Sequence, residues 1–215
     1  MNSEIKMLMA VAVAGAMFAG QSVQAETFTL TIPNTNTIGA GPFATVEKTL
    51  ATCGAFSCVN FDVTASSGYQ LIDGSAFAFN GTSSTFAISP VTITGGSATS
   101  ASVALNQNVD GFGVFTYAID LSGSPPTANE LQFTVSNTTG NVTLADVDLD
   151  NASGHMFAAH VLCTASNPAN CTGNTGFVTN GGAPPPGVPE PASLLLLGTG
   201  LAGIGAWAWK RQKSA

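Results

Sequence analysis

The sequence predicts an all-β fold, an antiparallel β-sandwich with an export segment ahead of it and a membrane helix behind it. Three observations carry that expectation. Between residues 26 and 180, short segments rich in Thr, Val and Phe alternate apolar and polar side chains with period two. Clusters of Gly, Pro, Asn and Ser separate these segments, as turns do. No segment of this region carries the stripe spacing of an amphipathic helix. A jelly-roll and an immunoglobulin-like topology both fit this pattern.

The elements are justified in chain order. Met1 to Ala25 has one basic residue directly before the apolar run, Lys6, then MLMAVAVAGAMFAG and the polar stretch QSVQA. Small residues at Val23 and Ala25 suit a signal peptidase, so residues 1–25 read as a signal peptide cleaved after Ala25. The body, residues 26–180, then offers the strand candidates FTLTI, ATVEKTL, VNFDVTA, YQLIDGSAFAF, TFAISPVTI, ASVAL, FGVFTYAIDL, ELQFTV, NVTLADVDL, MFAAHVLC and GFVT. Leu131, Phe133 and Val135 share one predicted face, as do Phe115, Tyr117, Ile119 and Leu121. Residues 181–187 form a Pro/Gly linker, and residues 188–213 form a separate tail.

Charge excludes one class of partner. Between Glu26 and Gly187 ten acidic residues stand against a single cation, Lys48, a net charge of −9. One cation cannot neutralise a phosphate backbone, so no nucleic-acid binding is expected. Polarity comes mostly from Ser, Thr, Asn and Gln, which keep a surface hydrated with little dependence on pH.

The four cysteines fall into two close pairs, Cys53/Cys58 and Cys163/Cys171. Export favours oxidation, and the intervening sequences have turn character, so two local disulfides are expected. Neither pair has the C-x-x-C spacing typical of zinc sites.

Three further patterns invite chemistry. Asp146, Asp148 and Asp150 would share one face of a strand, and D-x-D-x-D opens a calcium loop. Asn151 stands where that loop needs Gly, and Phe157 where it needs Glu, so a solvated acidic strand face is the stronger reading and calcium the other; no further cofactor is expected. His155 and His160 are five apart, which strand parity places on opposite faces, and Ser153 lies in no nucleophile elbow; an enzyme is not expected. Thr27, Thr29 and Thr31 form a T-x-T-x-T run of the kind that binds lattices or sugars when repeated, but no fixed-period repeat follows.

The tail is the most specific feature. Pro189, Glu190 and Pro191 precede eighteen uncharged residues, Ala192 to Trp209, and then Lys210, Arg211 and Lys213. A helix of that length rises about 27 Å, close to the roughly 30 Å hydrocarbon core of a bilayer. Trp207 and Trp209 suit the interface, and the basic cluster reads as cytoplasmic, so the body faces outward. This order resembles the PEP-CTERM sorting signal of Gram-negative bacteria. The resemblance implies that Pro189, Glu190 and Pro191 are recognised by a membrane enzyme, exosortase. It implies a membrane-anchored precursor delivered to the cell surface or extracellular matrix. The expected role is structural or adhesive, in exopolysaccharide or biofilm, with a calcium-assisted carbohydrate-binding module as the other reading.

Overall fold

A computed structural model of the chain describes residues 24–165 and 171–181. Of the expected signal peptide, residues 1–25, the part up to Val23 lies outside the described residues, as do the sorting triplet Pro189–Pro191 and the expected membrane helix 192–209. Among the described residues no helix is long and apolar enough to cross a membrane.

The body is all-β and antiparallel, in two sheets. The first sheet orders β1 (Ala25–Leu30), β3 (Ala44–Cys53), β4 (Phe56–Ala65), β12 (Glu130–Ser136) and β7 (Ala87–Ile88), with β8 (Thr92–Thr94) also on β12. The second orders β11 (Thr127–Ala128), β5 (Tyr69–Ile72), β13 (His155–Cys163), β6 (Phe77–Phe79), β10 (Gly113–Ser122) and β9 (Ser100–Val109). β14 (Thr175–Gly181) joins β13 and β2 (Ile32–Pro33). Two of the long predicted segments are divided. YQLIDGSAFAF turns at Gly74 and Ser75, both at positive φ, and TFAISPVTI breaks around Pro90, which lacks the N–H a ladder needs.

The alternation read in the sequence becomes the core. Phe28, Leu30, Val46, Phe61, Val63, Leu131, Phe133 and Val135 point inward from the first sheet, and Leu71, Phe77, Phe79, Tyr117, Ile119 and Phe157 meet them from the second. Phe61 is central: its ring stacks on Phe133 at 4.9 Å and reaches Phe79 at 5.0 Å and Phe157 at 6.2 Å. Burying aromatic rings of this size dominates the hydrophobic gain of such a body.

One predicted stripe breaks. Tyr117, Ile119 and Leu121 join the main core, but Phe115 packs in a second apolar cluster with Val109, Phe112 and Ala118. The break falls at Thr116, whose N–H goes to Asn80 Oδ1 at 3.2 Å, opposite Asn106 at φ 53°. A local departure from strand geometry reverses parity on one side of it. That second cluster lies on the outer side of the second sheet, where Ala118, Ala78 and Ala158 stand in one row across β10, β6 and β13.

Both local disulfides are formed. Cys53–Cys58 closes the β3–β4 hairpin and Cys163–Cys171 closes the loop after β13, each with Cα atoms 5.7 Å apart.

Candidate functional site

The outer face of the first sheet is built by register. Thr29, Thr45, Thr64, Glu130 and Thr94 stand opposite one another in turn across β1, β3, β4, β12 and β8. The next row holds Thr27, Glu47, Asp62, Gln132 and Thr92, and a third holds Thr49, Asn60 and Thr134. Neighbouring strands lie about 4.8 Å apart and alternate residues about 6.8 Å apart, so the rows form a grid of hydroxyl, amide and carboxylate groups. The repeat that the linear sequence lacks is therefore present across strands. Thr31 is not part of it: the strand ends at Leu30, and the Thr31 N–H crosses to the Thr179 carbonyl of the second sheet at 3.1 Å.

Side chains on the grid hold one another. Thr64 Oγ1 donates to Asp62 Oδ1 at 2.9 Å, Gln132 Nε2 to Asp62 Oδ2 at 2.9 Å, and Thr134 Oγ1 to Asn60 Oδ1 at 2.8 Å. The hydrogen bond to Asp62, together with burial and the charge of Asp62, pushes the Glu130 carboxyl above its ordinary range. A shallow groove of about 430 Å³ runs over this face, walled by Ser89 and Pro90 and floored by Glu47, Asn60, Asp62 and Gln132. Such a surface offers donors and acceptors in fixed places, while Phe61 and Phe133, which also line the groove, are buried in the core.

The acidic run folds differently from expectation. Leu144–Val147 is a 3-10 turn, not a strand, so Asp146, Asp148 and Asp150 do not share a face. The turn forms because Asp146 Oδ2 accepts from the Thr143 N–H at 2.9 Å and from Thr143 Oγ1 at 2.7 Å, a local capping arrangement that competes with strand pairing. Burial alone would raise the Asp146 carboxyl, but these bonds and one from Thr82 outweigh it and hold it below the ordinary range. Asp148 turns to Lys48, and Asp150 is exposed. Among the described residues no group of three or more His, Cys, Asp or Glu side chains is placed to hold a metal ion.

The histidines also differ from strand parity. A register shift between His155 and Ala158 undoes the alternation, and both rings meet the outer cluster: His155 edge-on to Phe112 at 4.9 Å, His160 stacked on Phe177 at 4.3 Å. His160 Nδ1–H donates to the Asp73 carbonyl at 2.5 Å, which fixes its tautomer. Burial, the larger influence, holds the His160 ring below its ordinary value of 6.5 against that bond.

Sequence reasoning missed the role of Lys48. It lies on the inward side of β3 with no exposed surface, between Val46 and Leu50. Its Nζ contacts Asp148 Oδ1 and lies 3.0 Å from Glu26 Oε2, which stands directly opposite on β1. The rings of Phe28 and Phe157 lie 4.8 and 5.5 Å from it. Burial pushes the ammonium down to about 8, against the hydrogen bond and charge of Glu26. Parity was the available signal: Lys48 sits at an apolar position of an alternating strand.

Ala25, the expected cleavage residue, opens β1 and pairs with Thr49. The protein is thus of the class of all-β, disulfide-bonded bodies with a polar sheet face. Its sorting element is identified separately: a family model of the PEP-CTERM protein-sorting motif matches residues 187–212, so the chain carries that motif where Pro189, Glu190 and Pro191 stand. The motif implies export, a membrane-anchored precursor and processing by an exosortase. No curated protein and no solved structure matches the chain.

Proposed function

We propose that the body is a non-catalytic β-sandwich component of the extracellular matrix of a Gram-negative cell. In this reading the C-terminal helix holds the precursor in the membrane, exosortase processes it, and the outer face of the first sheet then adheres to exopolysaccharide. One observation carries the adhesive part: the three cross-strand rows of hydroxyl, amide and carboxylate groups around the groove. Sugar hydroxyls both donate and accept, and a fixed array of both kinds of partner meets them with little loss of side-chain freedom. Polar contacts of this kind are individually weak and suit repeated engagement along a polymer, where linked contacts multiply.

The test is co-sedimentation of the full exported protein with exopolysaccharide from the same cells. Wild type is expected in the polymer pellet, and the double variant Gln132→Leu, Thr64→Val in the supernatant. Equal pelleting of the two proteins overturns the assignment to this face, and failure of wild type to pellet overturns the adhesive role.

A further inference from the structure

The arrangement around Lys48 is costly for an ion pair. Taking an ammonium and a carboxylate out of water is strongly unfavourable before their attraction is counted. Lys48 is fully buried, and the Asp148 side chain keeps only 12 % of its surface. The rings of Phe28 and Phe157 lie 4.8 and 5.5 Å from the Lys48 nitrogen and give it an apolar surround. A third group, Glu26, reaches the same nitrogen from the side at 3.0 Å. A buried amine and a nearly buried carboxyl are therefore held together, with a second carboxyl, Glu26, beside them at the edge of the site, where its side chain keeps 26 % of its surface.

We propose that Lys48 and Asp148 are joined by an intramolecular amide bond, formed by the folded protein itself with Glu26 as proton carrier.

The chemistry balances within the three side chains. Proton transfer inside the pair converts ammonium and carboxylate into amine and carboxylic acid, the neutral forms that a low-dielectric enclosure favours. The Lys48 ammonium, lowered to about 8 by burial, makes the free amine accessible near neutral pH. The Nζ lone pair attacks Asp148 Cγ, forming the C–N bond and a tetrahedral centre. Glu26 takes a proton from the nitrogen and delivers it to the departing hydroxyl; the C–O bond breaks and one water leaves. Glu26 ends as it began. The net change is ammonium plus carboxylate to amide plus water, with no oxidant, reductant or activating group.

The fold supplies what a bimolecular amide condensation lacks. Fixed juxtaposition of amine and carboxyl is equivalent to an effective concentration of about 10⁵–10⁸ M. A positioned carboxylate speeds the proton transfers by about 10²–10⁴-fold. Exclusion of water opposes the reverse hydrolysis. The product removes two buried charges and ties β3 to the segment after the 3-10 turn, residues separated by 100 positions in the chain.

The sequence provides a direct readout. Lys48 is the only Lys or Arg between Glu26 and Trp209, so trypsin has one cleavage position in the body. The full exported chain is unfolded in urea, its disulfides are reduced, and it is digested with trypsin. Wild type is expected to resist cleavage after Lys48. Tandem mass spectrometry of its peptic peptides is expected to find a branched species joining Lys48 to Asp148, lighter than its two linear parts by one water. Asp148→Ala restores cleavage after Lys48, and Glu26→Gln loses most of the branched species. Complete cleavage of wild type after Lys48, with no branched peptide, overturns the bond. Resistance that persists in Asp148→Ala overturns the partner, and an undiminished branched species in Glu26→Gln overturns the role of Glu26. The wild-type digest is made on unfolded chain and decides the matter even where a variant does not fold.

Discussion

The two sheets turn opposite characters outward. The first presents the grid of Thr27, Glu47, Asp62 and Gln132 with its neighbours, where Gln132 bonds to Asp62. The second presents a row of alanines, Ala78, Ala118 and Ala158, roofed by Phe112, Phe115 and Phe177. The difference is written in the strands: the first sheet turns Thr, Glu, Asp and Gln outward, where the second places Ala78, Ala118 and Ala158. A covered face contributes stability and is closed to partners; an open polar face contributes little stability and stays free for a ligand. The face proposed to bind a ligand is accordingly that of the first sheet.

The largest expected effect tests the roofed face. Phe115 has no exposed surface, so Phe115→Ala is expected to lose about 3–5 kcal/mol in urea unfolding. A loss near that of a surface substitution would mean that the cluster is an ornament on the second sheet and would remove half of the contrast.

A smaller effect concerns His160, which lies on the same face against Phe177. Its folded form holds the proton less tightly than the unfolded chain, whose value is 6.5. The unfolded chain therefore binds more protons below that pH, and stability falls as pH drops from about 7.5 to 5.5. His160→Gln is expected to flatten that part of the stability profile, measured by denaturant midpoint against pH. An unchanged slope would place the titration elsewhere.

The smallest stability effect belongs to the open grid. Asp62→Asn is expected to change stability by no more than about 0.5 kcal/mol. The informative readout is the Glu130 carboxyl, which falls toward its ordinary range once the Asp62 carboxylate no longer raises it. A carbon-detected NMR titration measures this. A Glu130 value that stays high would show that Asp62 does not organise the grid.

Much of the body was legible in the sequence because strand pairing leaves a local trace. ATVEKTL, VNFDVTA and ELQFTV alternate, and each forms a strand with Val46, Val63 and Phe133 inward. The cysteines were legible because loops of a few residues bring their Cα atoms close without help from the rest of the chain. The acidic run misled for a physical reason. Its alternation suits a strand, but Thr143 and Asp146 satisfy each other locally and turn the backbone first. The stripe through Phe115 failed similarly, at the single break beside Thr116.

The candidate surface was legible only in fragments. Thr27 and Thr29 were visible as a pair, but their continuation through Thr45, Thr64 and Thr94 runs across strands, perpendicular to the chain. Periodicity along a sequence reports which side of a strand a residue takes. It does not report which residue of another strand stands opposite.

By itself, then, the sequence determined the all-β class, the paired cysteines and the sorting motif at residues 187–212, because each is written in neighbouring residues. Only the tertiary structure decided that Lys48 meets Asp148 and Glu26, and that scattered threonines form one grid. Those outcomes depend on sheet register and on how the sheets are covered, which are fixed by contacts between residues far apart in the chain.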